Sequence, residues 1–442
     1  MPGYPNSPVF YRTLTRSLPL AVRGEGCWIE DDGGRRYLDA VGGAFVASLG
    51  HGVSEIAEAI GRQAGTLAYV NGTQFANQAA ERLAAELTSR TGSGLELAYF
   101  LGSGSEAVEA ALKLARQYWV ECGRAEKVKV LSLAPGYHGN TLLALSASGR
   151  PRYQTYFHGW LVSVPRIAAP YAYRCECGGR APLCDSCSGA AVEAAILDEG
   201  PDTVAAFIAE PVGGSSTGAS VPDRSYWGRV REICNRHQVL WIADQILVGA
   251  GRTGTWSALE PYGAAPDIMT LGKGITGGYV ALSAVLAPRR IAEVLARGSG
   301  ALLHAQTFSH HPVACAAGLA ALEYLDRHDL IARCATRGDL LHRSLSRLVK
   351  SDFVGDIRGR GLLAGIELVA DREKRPFPRS RKVAERFAQL AMDEGLVVWP
   401  NTGHVNGQEG DLILLAPPFV ISEEEIDEIV NRLEAVLRKL QD

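Results

Sequence analysis

The stretch DIMTLGKGITGG, residues 267–278, places a lysine between two glycines directly after a short apolar run. Ile268 to Leu271 reads as a brief buried strand, because it is apolar, bounded by turn formers and too short for a helix. Strands apolar on both faces belong to parallel sheets covered on each side by helices. Lys273 then stands at the carboxyl end of a strand, where open α/β sheets gather their ligands. Glycines on either side strip bulk from around its amine.

Working outward from this lysine, the same kind of run recurs at Leu97 to Leu101, Val128 to Leu133, Val204 to Ala209 and Val239 to Ala243. Helical patterns lie between these runs, at Glu106 to Glu121, Ala190 to Glu199 and Tyr226 to His237. The alternation predicts an α/β fold with a mainly parallel central sheet. Asp244 follows one of the runs, and a carboxylate there needs a cationic or hydrogen-bonding partner. Asp244 and Lys273 both close strands, so a parallel sheet opens them into one crevice.

The rest of the chain reads differently. EDDGGRRYLDAVGG, residues 30–43, suggests hairpin strands, while an Ala-rich helix follows His311-Pro312, another runs from about 381 to 394, and an amphipathic one spans about 423 to 440. These ends predict a smaller α+β domain built from both termini. The division is 1–60 and 319–442 for the small domain, and 61–318 for the large one. NTGHVNGQEGD, residues 401–411, reads as a loop.

Composition excludes several classes. The 442 residues are 47% hydrophobic and 21% charged, with a formal net charge of -3, which gives no electrostatic basis for nucleic acid or an anionic membrane. No apolar run approaches a membrane span, and the first residues lack the order of a secretory signal, so the cytoplasm is the expected compartment. Nine cysteines are an odd number in a long chain, unlike a secreted disulfide framework. Four of them fall in CECGGRAPLCDSC, residues 175–187. The expectation is an exposed loop with incidental thiols, because the first pair is C-x-C; tetrahedral structural zinc is the alternative reading. No catalytic metal is expected.

YFLGSGSEAVEAALKLAR, residues 99–116, runs from strand to helix across a Gly-Ser turn. Ser103 and Glu106 have capping-box spacing, and the free N–H groups at Gly104 and Ser105 form an anion site suited to a phosphate. The same letters spell a loose dinucleotide fingerprint, but the next strand, in VKVLSLAPGYHGN, ends on no acidic residue for a ribose. A lone phosphate fits better.

The set SGSEAVEAALKLAR, GYHGNT, IAEPVGG, ADQILVGAGRTG, LGKG and QTFSHHPVACAA, in this order over most of the chain, resembles the class III aminotransferases, pyridoxal-phosphate enzymes of fold type I that include the omega-transaminases. The resemblance implies that Lys273 is the catalytic lysine, joined to pyridoxal 5'-phosphate as a Schiff base. It implies that Asp244 keeps the pyridine nitrogen protonated, and that Ser103, Gly104 and Ser105 hold the phosphate. Tyr137 would stack on the ring, His138 would lie beside it, Ile246 would pack beneath it, and Glu210 would sit near the cofactor. Thr307 would reach the phosphate of a neighbouring subunit, making a homodimer. Phe45 falls where omega-transaminases place an aromatic wall of the substrate pocket.

Two departures bear on substrate. Where the family commonly has Asp-Glu, this chain has Asp244-Gln245. The two positions that supply a carboxylate-binding arginine in relatives correspond to Leu414 and Trp399, neither of which binds an anion. Either another basic residue substitutes, or the substrate is an amine or aldehyde without a nearby carboxylate, held in an apolar pocket of Phe45 and Trp399 with Trp160 as a further wall. The resemblance thus implies transfer of an amino group from an amine or amino acid to a keto acid, ketone or aldehyde, with small molecules as the only partners besides a second copy. Racemase or decarboxylase chemistry on the same scaffold is the alternative, since the family includes both. A non-catalytic relative would not keep Lys273, Asp244 and the phosphate turn together.

Overall fold

In the computed structural model, residues 2–3, 5–92 and 94–441 are described, and their strands form three sheets. Near the start, β1 (Ala21–Glu25), β2 (Trp28–Asp31) and β3 (Arg36–Asp39) pair as successive antiparallel strands. The turn-rich segment around Gly33-Gly34 is the connection between β2 and β3, as its composition predicts.

The central sheet contains β4 (Leu97–Leu101), β5 (Lys129–Ala134), β6 (Arg166–Ala168), β7 (Val204–Ala209), β8 (Leu240–Asp244), β9 (Ile268–Leu271) and β10 (Ser283–Ala287), in the order β4-β10-β9-β8-β7-β5-β6. From β9 to β6 every neighbouring pair is parallel, while β10 is antiparallel to both β4 and β9. Every residue of β7, β8 and β9 is buried. On β8, Leu240 and Ile242 pack with the helix Gly104–Glu121, while Trp241 and Ala243 pack with the helices Ala190–Glu199 and Tyr226–Arg236. Alternate residues face opposite sides of a strand. Two covered faces therefore produce the unbroken apolar runs in the sequence.

Two expected strands are shifted by one residue: β5 begins after Val128 and β8 after Val239, and β8 ends on Asp244 itself. The strand β10 is an addition, because ALSAVLAP carries little pattern of its own and is held by pairing on both edges. The helix after β4 starts at Gly104, two residues earlier than the apolar pattern suggests, where Ser103 accepts a hydrogen bond from the Glu106 amide at 3.3 Å.

The third sheet is antiparallel and begins with β11 (Val354–Arg360) and β12 (Leu363–Leu368). The short β13 (Leu396–Val397) instead pairs parallel to β3, aligning Leu396 with Leu38. Then β14 (Trp399–Thr402) and β15 (Asp411–Leu415) complete the third sheet in the order β11-β12-β15-β14. Residues 401–411 are therefore the turn of a hairpin, with Asn401, Thr402 and Asp411 inside strands. One apolar core unites Leu38, Leu49 and Ile56 near the start with Phe387, Leu396, Ile413 and Ile429 near the end. The small domain thus comes from both chain ends, joined by a main-chain pairing. Among the described residues, no helix is long and apolar enough to cross a membrane.

Candidate active site

The parallel register of β8 and β9 sets Asp244 beside Thr270. Three residues beyond Thr270, the chain turns through Gly272 and reaches Lys273 with φ +45°. That left-handed backbone is costly for a lysine, by about 1 kcal/mol, and it aims the side chain off the end of the sheet. A cavity of about 600 Å³ opens there, lined by Lys273, Asp244, Tyr137 and Ile246 on the sheet side and by Phe45 and Trp399 from the small domain. Its volume is in the range of small-molecule sites.

Asp244 is 4% exposed and fully engaged. Its Oδ1 accepts from the Ile246 amide at 3.1 Å and from the Thr270 hydroxyl at 3.2 Å, and its Oδ2 accepts from His138 Nδ1 at 2.8 Å. The other ring nitrogen of His138, Nε2, is buried without a hydrogen-bond partner. Burial lowers the pKa of Lys273 below the ordinary lysine value, while the charges of Asp244 and Glu210 act in the opposite sense. The amine is thereby eased toward its nucleophilic, unprotonated form.

At the far end of the cavity, Ser103, Gly104 and Ser105 open the helix Gly104–Glu121. The first-turn N–H groups of a helix have no intrahelical acceptor and carry its positive dipole end, a natural anion site. Ser105 Oγ accepts from the Asn140 amide at 3.0 Å, which holds the GYHGN turn over the helix start. The capping box is only half formed, because the Glu106 carboxylate accepts from the Gln306 side chain instead of reaching back to Ser103. Close approach explains Gly104: a Cβ there would lie 3.0 Å from the Ile246 side chain.

Glu210 braces the opposite wall. Its Oε2 accepts from the Tyr137 amide at 3.2 Å and its Oε1 from the Gly214 amide at 3.1 Å, fixing the loop that carries the aromatic ring. Burial raises the Glu210 pKa, and the neighbouring Asp244 charge adds to that. Gln245 points away from the cavity: its Nε2 donates to Ser257 at 2.8 Å and its Oε1 accepts from the Ala258 amide at 2.8 Å. The changed residue after Asp244 is thus a packing element behind the strand.

The mouth is aromatic. Phe45 and Trp399 have ring centroids 5.5 Å apart, and Lys273 Nζ lies 5.8 Å from the Phe45 centroid. Leu414 is fully buried on β15 opposite Trp399 on β14, so its position offers nothing to a ligand. Trp160 is 73% exposed and does not line the cavity of this chain, which corrects its expected place in the pocket. It sits in a short 3-10 turn that projects from the surface. Thr307 is likewise outside this chain's cavity, exposed, with its carbonyl accepting from the Tyr69 hydroxyl at 2.9 Å.

Sequence reasoning missed Arg12 and Arg150, both of which line the cavity. The Arg150 guanidinium lies 4.6 Å from the Tyr137 ring centroid, and its Nε donates to Ser216 Oγ at 3.1 Å, with a further bond from Nη2 to Ser215. Arg12 donates to the Tyr153 hydroxyl. Their sequence signal is weak, since SGRPRY has no spacing that marks a ligand; Arg150 arrives by being the residue before the helix Pro151–Phe157.

Comparison with known proteins shows the family and the fold. The Aminotransferase class-III family matches residues 12–437. An uncharacterized aminotransferase of Schizosaccharomyces pombe is 38% identical over 438 residues, which cover 97% of this chain and 94% of that one. A thermostable (S)-enantioselective omega-transaminase from Thermomicrobium roseum has the same fold at a TM-score of 0.89 and 36% identity, covering 97% of this chain and 94% of that chain. An amine transaminase from an uncultivated Pseudomonas species, solved in its PLP-bound form, gives a TM-score of 0.87 at 35% identity, covering 96% of this chain and 95% of that chain. A shared sequence pattern and a shared fold over nearly the whole length mean that the chain belongs to the class III aminotransferases, the pyridoxal-phosphate-dependent transaminases of that family.

Proposed function

We propose that the cavity holds pyridoxal 5'-phosphate and transfers an amino group between a small amine donor and a carbonyl acceptor, with Lys273 as the catalytic residue. The observation that carries this reading is the convergence on one cavity of a lysine, a buried carboxylate, an aromatic face and a helix N-terminus. Those groups match the chemistry of the cofactor one for one: an amine for its aldehyde, Asp244 for its ring nitrogen, Tyr137 and Ile246 for its two faces, and Ser103, Gly104 and Ser105 for its phosphate. When bound, pyridoxal phosphate supplies an electron sink for the charge left as a proton leaves the substrate carbon.

The protein's own groups do the rest. Asp244, oriented by His138 and Thr270, presents a fixed negative charge to the ring nitrogen. With the cofactor in place, Lys273 Nζ would take the proton from the substrate carbon and deliver it to the carbon on the far side of the nitrogen they share, acting as base and then acid. Phe45 and Trp399 exclude water from the mouth and give an apolar substrate group a face to pack on.

For the substrate, we favour a carboxylate-bearing amino acid or keto acid, with Arg150 as the cation in place of the positions occupied by Leu414 and Trp399. Its support is that Arg150 lines the same cavity as Lys273, held by Ser215 and Ser216. A guanidinium anchors a planar carboxylate by paired hydrogen bonds. The competing reading is an amine and aldehyde pair without a carboxylate, which the Phe45 and Trp399 wall favours. Changing Arg150→Met separates them: KM for pyruvate or 2-oxoglutarate rises roughly 10- to 100-fold if the arginine binds the carboxylate, while aldehyde acceptors are unaffected. An equal effect on both acceptor classes sinks the proposal.

We further propose a homodimer in which Thr307 reaches the cofactor phosphate of the other subunit. Its support is the exposure of Thr307 beside Phe308, which is 57% exposed and whose ring lies 6.0 Å from that of Tyr69, itself 43% exposed and bonded to the Thr307 carbonyl. Such a grouping of exposed apolar side chains is a mark of association. The cytoplasm is the compartment we favour, supported by the unpaired state of all nine cysteines.

The decisive experiment is spectroscopic. Purified protein should be yellow, bleach with borohydride and carry the label on Lys273; incubation with a single amine enantiomer should convert the donor to its carbonyl. Retention of the amino group with loss of chirality or of carbon dioxide would move the protein to the racemase or decarboxylase alternative.

A further inference from the structure

Between β6 and the helix Ala190–Glu199, the chain makes a compact excursion that the active site does not use. It carries Cys175, Cys177, Cys184 and Cys187, whose four sulfur atoms all lie within 4.8 Å of one another. The closest separations are 3.2 Å for Cys175 with Cys177, 3.2 Å for Cys175 with Cys187, and 3.4 Å for Cys177 with Cys184. A disulfide needs about 2.05 Å, and none of the four is in one. Four sulfurs around tetrahedral zinc, with Zn–S near 2.3 Å, stand about 3.8 Å apart. The three closest spacings are a little shorter than that value, and all of the pairs lie within 4.8 Å.

The backbone is arranged around the sulfurs. Gly178 and Gly179 take left-handed φ of +58° and +71°, which lets the chain reverse immediately after the C-x-C pair. The amides of Cys184 and Gly179 point at the Cys177 sulfur, and the amide of Cys187 points at the Cys184 sulfur. The pattern is a pair of turns folded face to face, and it differs from the incidental thiols that the sequence suggested.

We propose that Cys175, Cys177, Cys184 and Cys187 bind one structural zinc ion. Four thiolates leave no open coordination position, so the ion does no chemistry on substrate. Its binding displaces the thiol protons, and no redox step is involved. The metal closes a loop whose other end grips the small domain: Tyr171 and Arg174, just before the first cysteine, both bond the Glu367 carboxylate on β12, Arg174 Nε at 2.6 Å. Zinc therefore stiffens the clasp between the central sheet and the sheet that bears Trp399.

The test uses the purified holoenzyme, grown in medium with trace zinc. Elemental analysis should give about one zinc per chain, released stoichiometrically to a colorimetric chelator when the thiols are titrated with a mercurial. Expression with cobalt should give a green protein with intense absorption near 700 nm, the mark of tetrahedral sulfur ligation. The variant Cys177→Ser with Cys184→Ser should lose the metal yet keep its cofactor absorbance, while the midpoint of thermal unfolding falls. Zinc below about 0.1 per chain together with four freely alkylated thiols overturns the proposal, as does iron at this site or a pair of disulfides found by peptide mapping.

Discussion

His138 Nδ1 donates to Asp244 Oδ2 at 2.8 Å, and both side chains are almost wholly buried. The bond spans the gap between the loop after β5 and the end of β8, so the carboxylate is aimed by a residue far away in sequence. Asp244→Asn removes the charge and should lower kcat/KM by about 10²- to 10³-fold. His138→Phe keeps the charge but frees it to turn, which should cost about 10-fold. The two are separated by the cofactor's absorption spectrum as a function of pH, which shifts in both variants but loses its ring-protonation signature only in Asp244→Asn.

Lys273 has its pKa lowered chiefly by burial, against the opposing charges of Asp244 and Glu210. A lowered value means that the free amine appears at lower pH than for an ordinary lysine. The rate at which apoprotein captures pyridoxal phosphate should therefore rise with pH and level off below the usual lysine value of 10.5. Lys273→Ala should abolish turnover and covalent capture, leaving only a dissociable cofactor.

Glu367 is the charged hub under β12, with no exposure of its side chain, and it pairs with Arg358 at 2.8 Å, Arg174 at 2.6 Å and His404 at 3.1 Å. Burial alone would raise its pKa, but the His404 hydrogen bond and the two arginines hold it well below the ordinary 4.5. On unfolding below that pH the carboxyl takes up a proton, so the stability it contributes is complete above pH 4.5 and drains away as pH falls. Glu367→Gln should cost about 3 kcal/mol near neutrality. In urea melts, wild type and variant should converge as the solution is acidified.

Gly104 faces Ile246 so closely that a methyl group would sit 3.0 Å from its side chain, which would have to give by a few tenths of an ångström. Gly104→Ala should push the Ile246 side chain into the cavity and weaken cofactor retention about 10-fold, while leaving the melting of apoprotein within about 1 kcal/mol of wild type. Dialysis followed by reconstitution at graded cofactor concentrations measures the first, and calorimetry the second.

The features legible from the chain alone are those encoded locally. Asp244 and Lys273 stand out because one ends and the other closely follows a strand apolar on both faces, and Ser103 because a helix cap has a fixed spacing. Arg12 and Arg150 were invisible, since no spacing marks them and only the folded chain brings them to the cavity. Glu106 illustrates the same limit: the spacing points its carboxylate at Ser103, yet a glutamine two hundred residues on takes it. Meeting of the four thiols depends on two turns whose left-handed glycines carry no signal of the distance they close. The strand β10 was missed because its partners on either side supply what its own pattern lacks.

Phe45 enters the mouth from the beginning of the chain and Trp399 from near its end, brought together by the parallel pairing of β3 with β13. A nascent polypeptide emerging from the ribosome has the lysine, the carboxylate and the phosphate turn long before it has a closed pocket. Such distant pairing makes for slow maturation: the reactive amine gains its substrate chamber only once the segment bearing Trp399 has been made and has docked on β3.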